Sequence, residues 1–354
     1  MIYSVYVDGI NIYEEDPDKT LIEPSSETEL NSAGSFEFTM PVNHMYYDMP
    51  RPLLSDVEIR ENNEIVWFGR VIQIEKDWNN QKIIHCEGAL AYFNDSIQRP
   101  KEYDDGDQSI KTFFRDLIDR HNEQVPANRR FVVGEVNIDE KFVYRKLNYE
   151  NTLSCLEQMC INAEGGYLIT RKVDGTNYID WVREVPYIGN QPLQYGLNLT
   201  DLDQTFDYSE LATAVIPLGD EDADTKVRPT CADENGGLDY IESDLAKTYG
   251  RITKVVEFDG VTLPIDLKEA GEKYLADNQF EPLTIETSAA ELAYFNPEYS
   301  VFKVGMNVQV TSTPHGIDMQ LPILKMGLSL DSGEKSITIG NVKKKTLTEI
   351  YKED

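Results

Sequence analysis

The sequence has 354 residues, of which 63 are acidic and 33 are basic, so its formal net charge is −30. A chain of this length is expected to form two or three domains, each with its own core. A surface this acidic repels phosphate and disfavours a protein that grips DNA or RNA. The excess charge has two interpretations, which are general solubility and a surface that nucleic acid passes without sticking.

Membrane and secretory signals are absent from the sequence. No run of about 18 apolar residues is present, so no transmembrane helix is predicted. The N-terminus MIYSVYVDG lacks the basic region and apolar core of a signal peptide, and it is typical of a first strand.

The four cysteines are Cys86, Cys155, Cys160 and Cys231. They form no CxxC pair and no cluster with histidine at metal-ligand spacing, so reduced and partly buried thiols are expected. Cys155 and Cys160 are five positions apart in a helical pattern. Five residues of α-helix rotate by about 500°, so these two thiols are not expected to share a face.

The first hundred residues have the pattern of β-strands. A strand ends at the turn Asp8-Gly9, and SFEFTM at 35–40 alternates apolar and polar residues. A hairpin over 57–68 leads into a long strand, 70–76, and a return strand, 83–87. Short strands with frequent turns predict a small barrel or sandwich.

The pattern becomes helical after residue 101. An amphipathic helix is predicted from apolar residues at i, i+3, i+4, i+7 and i+8, after the acidic run DDGD at 104–107. These residues are Ile110, Phe113, Phe114, Leu117 and Ile118. A second helical stripe is formed by Leu153, Leu156, Cys160 and Ala163, and Gly165-Gly166 ends it. A hairpin with a turn at Asp174-Gly175 follows.

The second half of the chain returns to strands after a connection rich in Pro and Gly. LATAVIPLG at 211–219 predicts a buried strand, and DEDAD at 220–224 opens a polar loop. A strand at 251–258 precedes a helix. Its apolar face is Leu267, Ala270, Tyr274 and Leu275. Strand patterns then continue from 282 to about 342, and the tail is short and charged.

A stretch near the C-terminus repeats the order of strands and turns found at 57–88. Val57-Glu58-Ile59 corresponds to Val308-Gln309-Val310, and Val71–Ile74 corresponds to Leu324–Leu328. The polar turn before Lys82 corresponds to the one before Lys335. The two spans are 31 and 32 positions (88−57 and 340−308). Either one unit is present twice, which would give pseudo-symmetry, or a common strand–turn–strand arrangement has recurred by chance.

The sequence resembles the N-terminal hub region of prophage-tail "endopeptidase tail" proteins of siphophages, which is similar to the baseplate hubs of contractile tails. The matching stretches run in order along nearly the whole chain. They are SFEFTMP at 35–41, WFGRV through NDSI at 67–97, LEQMCINAEGGYLI at 156–169, LQYGLNLTDLDQTFDYSELATAVIPLG at 193–219, YGRITKVVEFDGV at 249–261 and FKVGM through ITIG at 302–340.

The resemblance implies a multidomain α+β fold in which two related small β-barrel domains hold two interposed α/β domains. It also implies a homotrimer whose six barrels continue the tail tube. The expected division is a first barrel at 1–100, an α+β domain at 101–190, a second barrel at 191–219 and 282–345, an inserted α/β domain at 220–281 and a charged tail at 346–354.

No sequence motif for catalysis is present. HExxH, GxSxG, the P-loop and the Rossmann fingerprint are all missing. His85 and Cys86 are adjacent in a strand and therefore point to opposite faces, so they cannot form a catalytic pair. The acidic runs at 104–107 and 220–224 lack the spacing of a calcium loop. No cofactor or metal is predicted. The sequence ends soon after Gly340, where longer relatives carry a hydrolase, so an enzyme is not expected.

The preferred hypothesis is a structural hub at the tip of a phage or prophage tail. It would form a trimeric ring, contact the distal tail protein and the tape-measure or fibre and receptor-binding proteins, and let DNA pass. The alternatives are a peptidoglycan-degrading tail endopeptidase and a module that binds cell-wall carbohydrate. The candidate lumen or interface loop contains Asp220, Glu221, Asp222 and Asp224.

Overall fold

The chain folds as two compact units. In the computed structural model, unit 1 contains residues 1–202 and 286–339, and unit 2 contains residues 203–285 and 340–354. The structure describes residues 3–14, 16–103, 109–187, 189–209, 211–221, 226–258, 261, 263–278 and 283–340. Strands predominate over helices, so the predicted α+β class is confirmed. The barrels and the finer domain division stay predictions.

The strands that the structure describes are short, apart from two of 13 residues. In chain order they are β1 (Tyr3–Val7), β2 (Ile10–Asn11), β3 (Ile22–Glu29), β4 (Ser35–Met40), β5 (Asp56–Glu61), β6 (Glu64–Lys76), β7 (Lys82–Gly88), β8 (Lys101–Tyr103), β9 (Phe131–Val136), β10 (Arg145–Leu147), β11 (Tyr167–Val173), β12 (Thr176–Val182), β13 (Leu193–Gln194), β14 (Asp203–Phe206), β15 (Ala214–Leu218), β16 (Ile241–Glu242), β17 (Thr253–Glu257), β18 (Leu283–Ala289), β19 (Asn307–Ser312), β20 (Ile317–Ser329) and β21 (Lys335–Gly340).

The described α-helices are α1 (Ile110–Asn122), α2 (Thr152–Cys155), α3 (Ala246–Tyr249) and α4 (Pro264–Asn278). Ser109 caps α1 by accepting a hydrogen bond from the N–H of Thr112, and Asn151 caps α2 in the same way through Ser154. No helix within the described part of the chain is long and apolar enough to cross a membrane. The acidic run at 104–107, predicted to precede α1, lies outside the described residues.

One large antiparallel sheet dominates unit 1. Its strand order includes β20-β3-β4-β7-β6-β5-β1-β2, and β19 and β21 also pair with β20. Alternate residues of a strand point to the same side of a sheet. In this sheet the apolar residues take alternate positions, so one face is apolar. Phe36, Phe38, Val57, Val71 and Ile84 are fully buried there in one core.

The predicted correspondence between the two stretches is confirmed as two three-stranded meanders. The N-terminal meander consists of β5, β6 and β7, with 6, 13 and 7 residues, and the C-terminal meander consists of β19, β20 and β21, with 6, 13 and 6. In both, the long middle strand pairs with the first strand through one half and with the third strand through the other.

The meanders also share a register shift. Val71 pairs with Cys86 and Gln73 with His85, so Ile72 is an extra residue, and Leu324 is extra in the same way. The shifts align Val71 with Ile323. The sequence-based match of Val71 with Leu324 was therefore wrong by one position, because the hydrophobic pattern cannot locate a bulge.

A second core in unit 1 lies between α1, α2 and the sheet β11-β12-β9. The predicted helix after Asn151 begins as α2 and continues as a π-helical segment, Leu156–Asn162. Cys155 and Cys160 are both buried in this core. The expectation that they do not share a face was wrong, since the i→i+5 hydrogen bonds of a π-helix bring such residues towards one side.

Unit 2 contains a three-stranded sheet in the order β16-β15-β17, against which α4 packs. Val215 of β15 and Leu275 of α4 are buried in its small core with Ala212. The strand predicted at 211–219 and the helix predicted after 258 are both confirmed, because each presents one apolar side.

Candidate functional site

The solvent side of the large sheet carries a polar surface, which we call the polar face. On β4, Ser35 and Glu37 point away from the core that Phe36 and Phe38 fill. The same alternation on the neighbouring strand places His85 of β7 beside Glu37, with which it is paired in register. The polar face comprises Ser25, Glu27, Ser35, Glu37, Gln73, Glu75, His85, Lys325, Ser329, Glu334 and Ser336.

An open depression of about 480 Å³ lies on the polar face. Six of its lining residues are serines and three are glutamates, and they come from both halves of the sequence. The residues are Ser25, Ser26, Glu27, Ser35, Glu37, Ser288, Gly327, Leu328, Ser329, Glu334 and Ser336. A Cβ on Gly327 would lie 2.4 Å from Oγ of Ser336, so glycine keeps the floor of the depression open. Hydroxyls and carboxylates there give a surface that is hydrophilic and acidic.

The lysine and the histidine of the polar face each lie beside carboxylates. Lys325 Nζ lies 2.6 Å from Oε2 of Glu27. His85 lies between two carboxylates, with Nδ1 2.8 Å from Glu37 and Nε2 3.7 Å from Glu75. A phosphate that approaches this surface therefore meets carboxylates without an unpaired lysine beside them.

His85 and Cys86 point to opposite faces of the sheet, as predicted. Cys86 is 2% exposed in the apolar core, whereas His85 lies on the polar face. Burial raises the pKa of the Cys86 thiol well above its ordinary range. This thiol is therefore unsuited to act as a nucleophile.

A buried Ser–His pair occurs between α1 and the segment that follows β7. Ser96 Oγ lies 2.7 Å from His121 Nδ1, and His121 Nε2 lies 3.1 Å from the carbonyl oxygen of Arg129. Ser96 and His121 are 1% and 0% exposed, and Ser96 also bonds Thr152. Burial lowers the pKa of His121. A substrate cannot reach this pair, and its contacts hold the core together.

A second Ser–His pair joins Ser312 to His315 in the β19–β20 turn. Ser312 Oγ lies 2.6 Å from His315 Nδ1, but Ser312 is fully buried. No group of three His, Cys, Asp or Glu side chains among the described residues could hold a metal ion. Neither pair has the exposed nucleophile that hydrolysis requires.

The predicted acidic loop lies in unit 2, apart in sequence from the polar face of unit 1. Asp220 and Glu221 are exposed, and Lys226 Nζ lies 3.4 Å from Glu221. Asp222 and Asp224 lie outside the described residues. The lumen or interface role of this loop stays a prediction.

The hydrophobic pattern of the sequence does not predict the polar face. β3 has the sequence IEPSSETE, in which few apolar residues mark a strand. The available signal was the spacing of Ser25, Glu27 and Glu29, which matches the polar positions of SFEFTM in β4.

The sequence was compared with protein families and with curated proteins. Residues 187–350 match the model of the family described as prophage endopeptidase tail. The predicted resemblance is confirmed. A comparison with curated protein sequences finds no significant match.

Solved tail proteins have a similar fold over nearly their full length. A tail protein from Neisseria meningitidis is 15% identical, with a TM-score of 0.66 and 96% of each chain covered. The prophage tail protein gp18 from Listeria monocytogenes is 15% identical, with a TM-score of 0.63 and coverage of 99% of this chain and 98% of that one.

A type VI secretion component from Escherichia coli, c3393, is described as structurally similar to the T4 tail proteins gp27 and gp5. It is 11% identical to this chain, with a TM-score of 0.51 and coverage of 95% of this chain and 76% of that one. At these identities the likeness establishes the prophage tail fold.

Proposed function

We propose that this chain is a structural protein of a phage or prophage tail, located at the tail tip as a baseplate hub. The family match over 187–350 and the likeness to prophage tail proteins support this assignment. In this proposal the protein closes or extends the tail tube and positions the components that attach to the host. Its neighbours are the distal tail protein and the tape-measure, fibre or receptor-binding proteins.

The observation that carries the proposal is the pair of equivalent meanders within one sheet. Two similar units in one chain allow three chains to imitate a six-fold ring around a tube. In the hub, each meander would belong to one small barrel, so that three copies would supply six barrels. The antiparallel pairing of β20 with β3, which joins the two halves of the sequence in one sheet, supports this proposal.

We further propose that the polar face lines the passage for DNA. Its serines and carboxylates offer phosphate no unpaired cation, as a surface for rapid transit requires. The acidic loop with Asp220 and Glu221 is a second candidate for the lumen or an interface.

Charge reversal tests the assignment of the lumen. The variant Glu37→Lys/Glu334→Lys places two cations beside the depression, and Asp233→Lys/Glu234→Lys makes the same change in charge at an exposed turn of unit 2. In the assembled protein, the first pair should slow the passage of DNA or retain it, and the second pair should not. Equal DNA retention by both variants would remove the polar face from the lumen.

Electron microscopy of the purified chain tests the hub itself. A ring of three copies with pseudo-six-fold appearance is expected, and its mass is measured by light scattering. A chain that stays monomeric at every concentration contradicts the trimeric hub.

The endopeptidase alternative rests on the family description. Its test is a zymogram with purified peptidoglycan, in which the structural proposal expects no clearing by this chain. Saturable binding to purified cell walls without cleavage would favour the carbohydrate-binding alternative.

A further inference from the structure

The second half of β6 has one open edge. The N–H of Asp77 donates to the carbonyl of Gln81 at 3.1 Å, so Glu75 and Asp77 direct their backbone groups towards β7. Because these directions alternate along a strand, Ile74 and Lys76 direct theirs away from β7. Among the residues that the structure describes, no strand pairs with this outer edge.

The equivalent edge in the C-terminal meander is occupied. The shared register shift aligns Ile74 with Met326 and Lys76 with Leu328. Met326 pairs with Thr28 and Leu328 pairs with Ser26, both on β3. Backbone hydrogen bonds continue past both ends of this pairing, from Leu30 to Leu324 and from Leu330 to Pro24.

We propose that the open edge of β6, at Ile74 and Lys76, accepts a strand from a second copy of this chain. This inference rests on the proposed ring and identifies the edge through which neighbouring copies join. The junction between copies then reproduces the junction that β20 and β3 form within one chain. Its backbone hydrogen bonds continue the sheet from one copy to the next.

The occupied junction also determines how the copies are arranged. β20 pairs with a strand of a different kind, β3, and not with an equivalent of itself. A junction between unlike surfaces is heterologous, and heterologous contacts generate rings when the rotation closes. Two β6 edges that paired with each other would instead give a two-fold dimer.

Exposed apolar side chains flank the same edge. Leu53 donates its N–H to the carbonyl of Val71, immediately before the open half of β6, and its side chain is exposed. Ile72 is exposed within the edge, and Trp78, in the turn after it, is 99% exposed. Apolar groups beside an unpaired strand edge are the composition expected of a surface that another chain covers.

A proline at position 76 removes one outward N–H from the edge. Lys76→Ala removes the same charge and side chain but keeps the N–H, so it is the matched control. Sedimentation equilibrium of the full chain should show trimers for the wild type and for Lys76→Ala. We expect Lys76→Pro to weaken association by about tenfold or more, because one hydrogen bond is lost and the pyrrolidine ring of proline clashes.

Hydrogen exchange of the unmodified chain gives an independent measurement. Assembly should slow exchange of the amides of Ile74 and Lys76, while the amide of Glu75, already directed towards β7, should change little. If the protein forms trimers but Lys76→Pro associates as tightly as Lys76→Ala, and the amides of Ile74 and Lys76 exchange freely in the trimer, the proposed edge is wrong. The proposed ring is not contradicted by that result. Dimers would overturn the head-to-tail junction. A wild type that never associates would overturn the ring and this inference together.

Discussion

The two meanders place a lysine at the same position but stabilise it differently. Lys82 and Lys335 each begin the third strand, opposite the equivalent residues Lys76 and Leu328. Lys82 Nζ bonds the carbonyl of Tyr47 at 2.5 Å and approaches Asp48, whose side chain is 93% exposed. In the C-terminal meander, Lys335 Nζ lies 2.7 Å from Glu291, and both side chains are at most 2% exposed.

The same backbone arrangement therefore pairs its lysine with an exposed carboxylate in one meander and with a buried carboxylate in the other. The carboxylate that accompanies Lys82 is 93% exposed and stays in solvent, so the loss of the Lys82 charge leaves no buried charge without a partner. Glu291 also accepts hydrogen bonds from Gln191 and from the N–H of Phe302, and its side chain is only 1% exposed. Removing one member of a buried pair leaves the other charge uncompensated.

The largest expected effect follows from breaking the buried pair. Lys335→Ala should lower the free energy of unfolding of unit 1 by about 3–5 kcal/mol, because Glu291 stays buried without its partner. Lys82→Ala, the equivalent change in the N-terminal meander, should cost about 1 kcal/mol. Urea unfolding of both variants measures the difference. Equal costs would show that the burial of the carboxylate partner does not distinguish the two positions.

A smaller effect is expected at the tyrosines that accompany these lysines. Tyr294 donates to Glu61 at 2.6 Å and contacts the hydroxyl of Tyr3 at 2.5 Å, so it joins the C-terminal part of unit 1 to β1 and β5. Tyr294→Phe should cost about 1–2 kcal/mol. Tyr47→Phe, which loses a hydrogen bond to the carbonyl of Asn80 at the surface, should cost less than about 0.5 kcal/mol.

The same tyrosine cluster predicts alkaline sensitivity. Burial and the hydrogen bonds with Glu61 raise the pKa of Tyr294, and burial also raises the pKa of Tyr3. A folded pKa above the unfolded value gives stability that is lost as the pH rises above about 10. Thermal unfolding between pH 8 and 11 should show this loss in the wild type and less of it in Tyr294→Phe. Identical pH profiles would exclude the cluster as the cause.

The smallest effect is expected at His44, in the segment that follows β4. His44 is buried, with Nε2 2.9 Å from the carbonyl of Ile12, and burial lowers its pKa. The unfolded chain then binds the proton first, so stability falls as the pH drops below about 6.5. The unfolding free energy of His44→Gln between pH 7.5 and 5 should fall less than that of the wild type. An unchanged slope would assign the acid sensitivity elsewhere, including to His121, whose pKa burial also lowers.

Regular periodicity made several elements predictable. α1 follows from the i, i+3, i+4 spacing of Ile110, Phe113 and Phe114, and all three side chains are fully buried. β4 follows from the alternation in SFEFTM. Periodicity could not reveal the bulges at Ile72 and Leu324 or the π-helical turn that places both Cys155 and Cys160 in one core, because each inserts one residue without a signal in composition.

The sequence by itself determined that two stretches share an order of strands and turns, since alternation and turn residues act over a few positions. Only the tertiary structure decided how those two stretches are joined in one sheet. β3 is polar, and it was not predicted as a strand, yet its backbone occupies the outer edge of β20. Backbone hydrogen bonds place it there irrespective of its side chains, and those side chains then form the polar face. The same backbone groups at Ile74 and Lys76 of β6 mark the edge that we assign to a second copy.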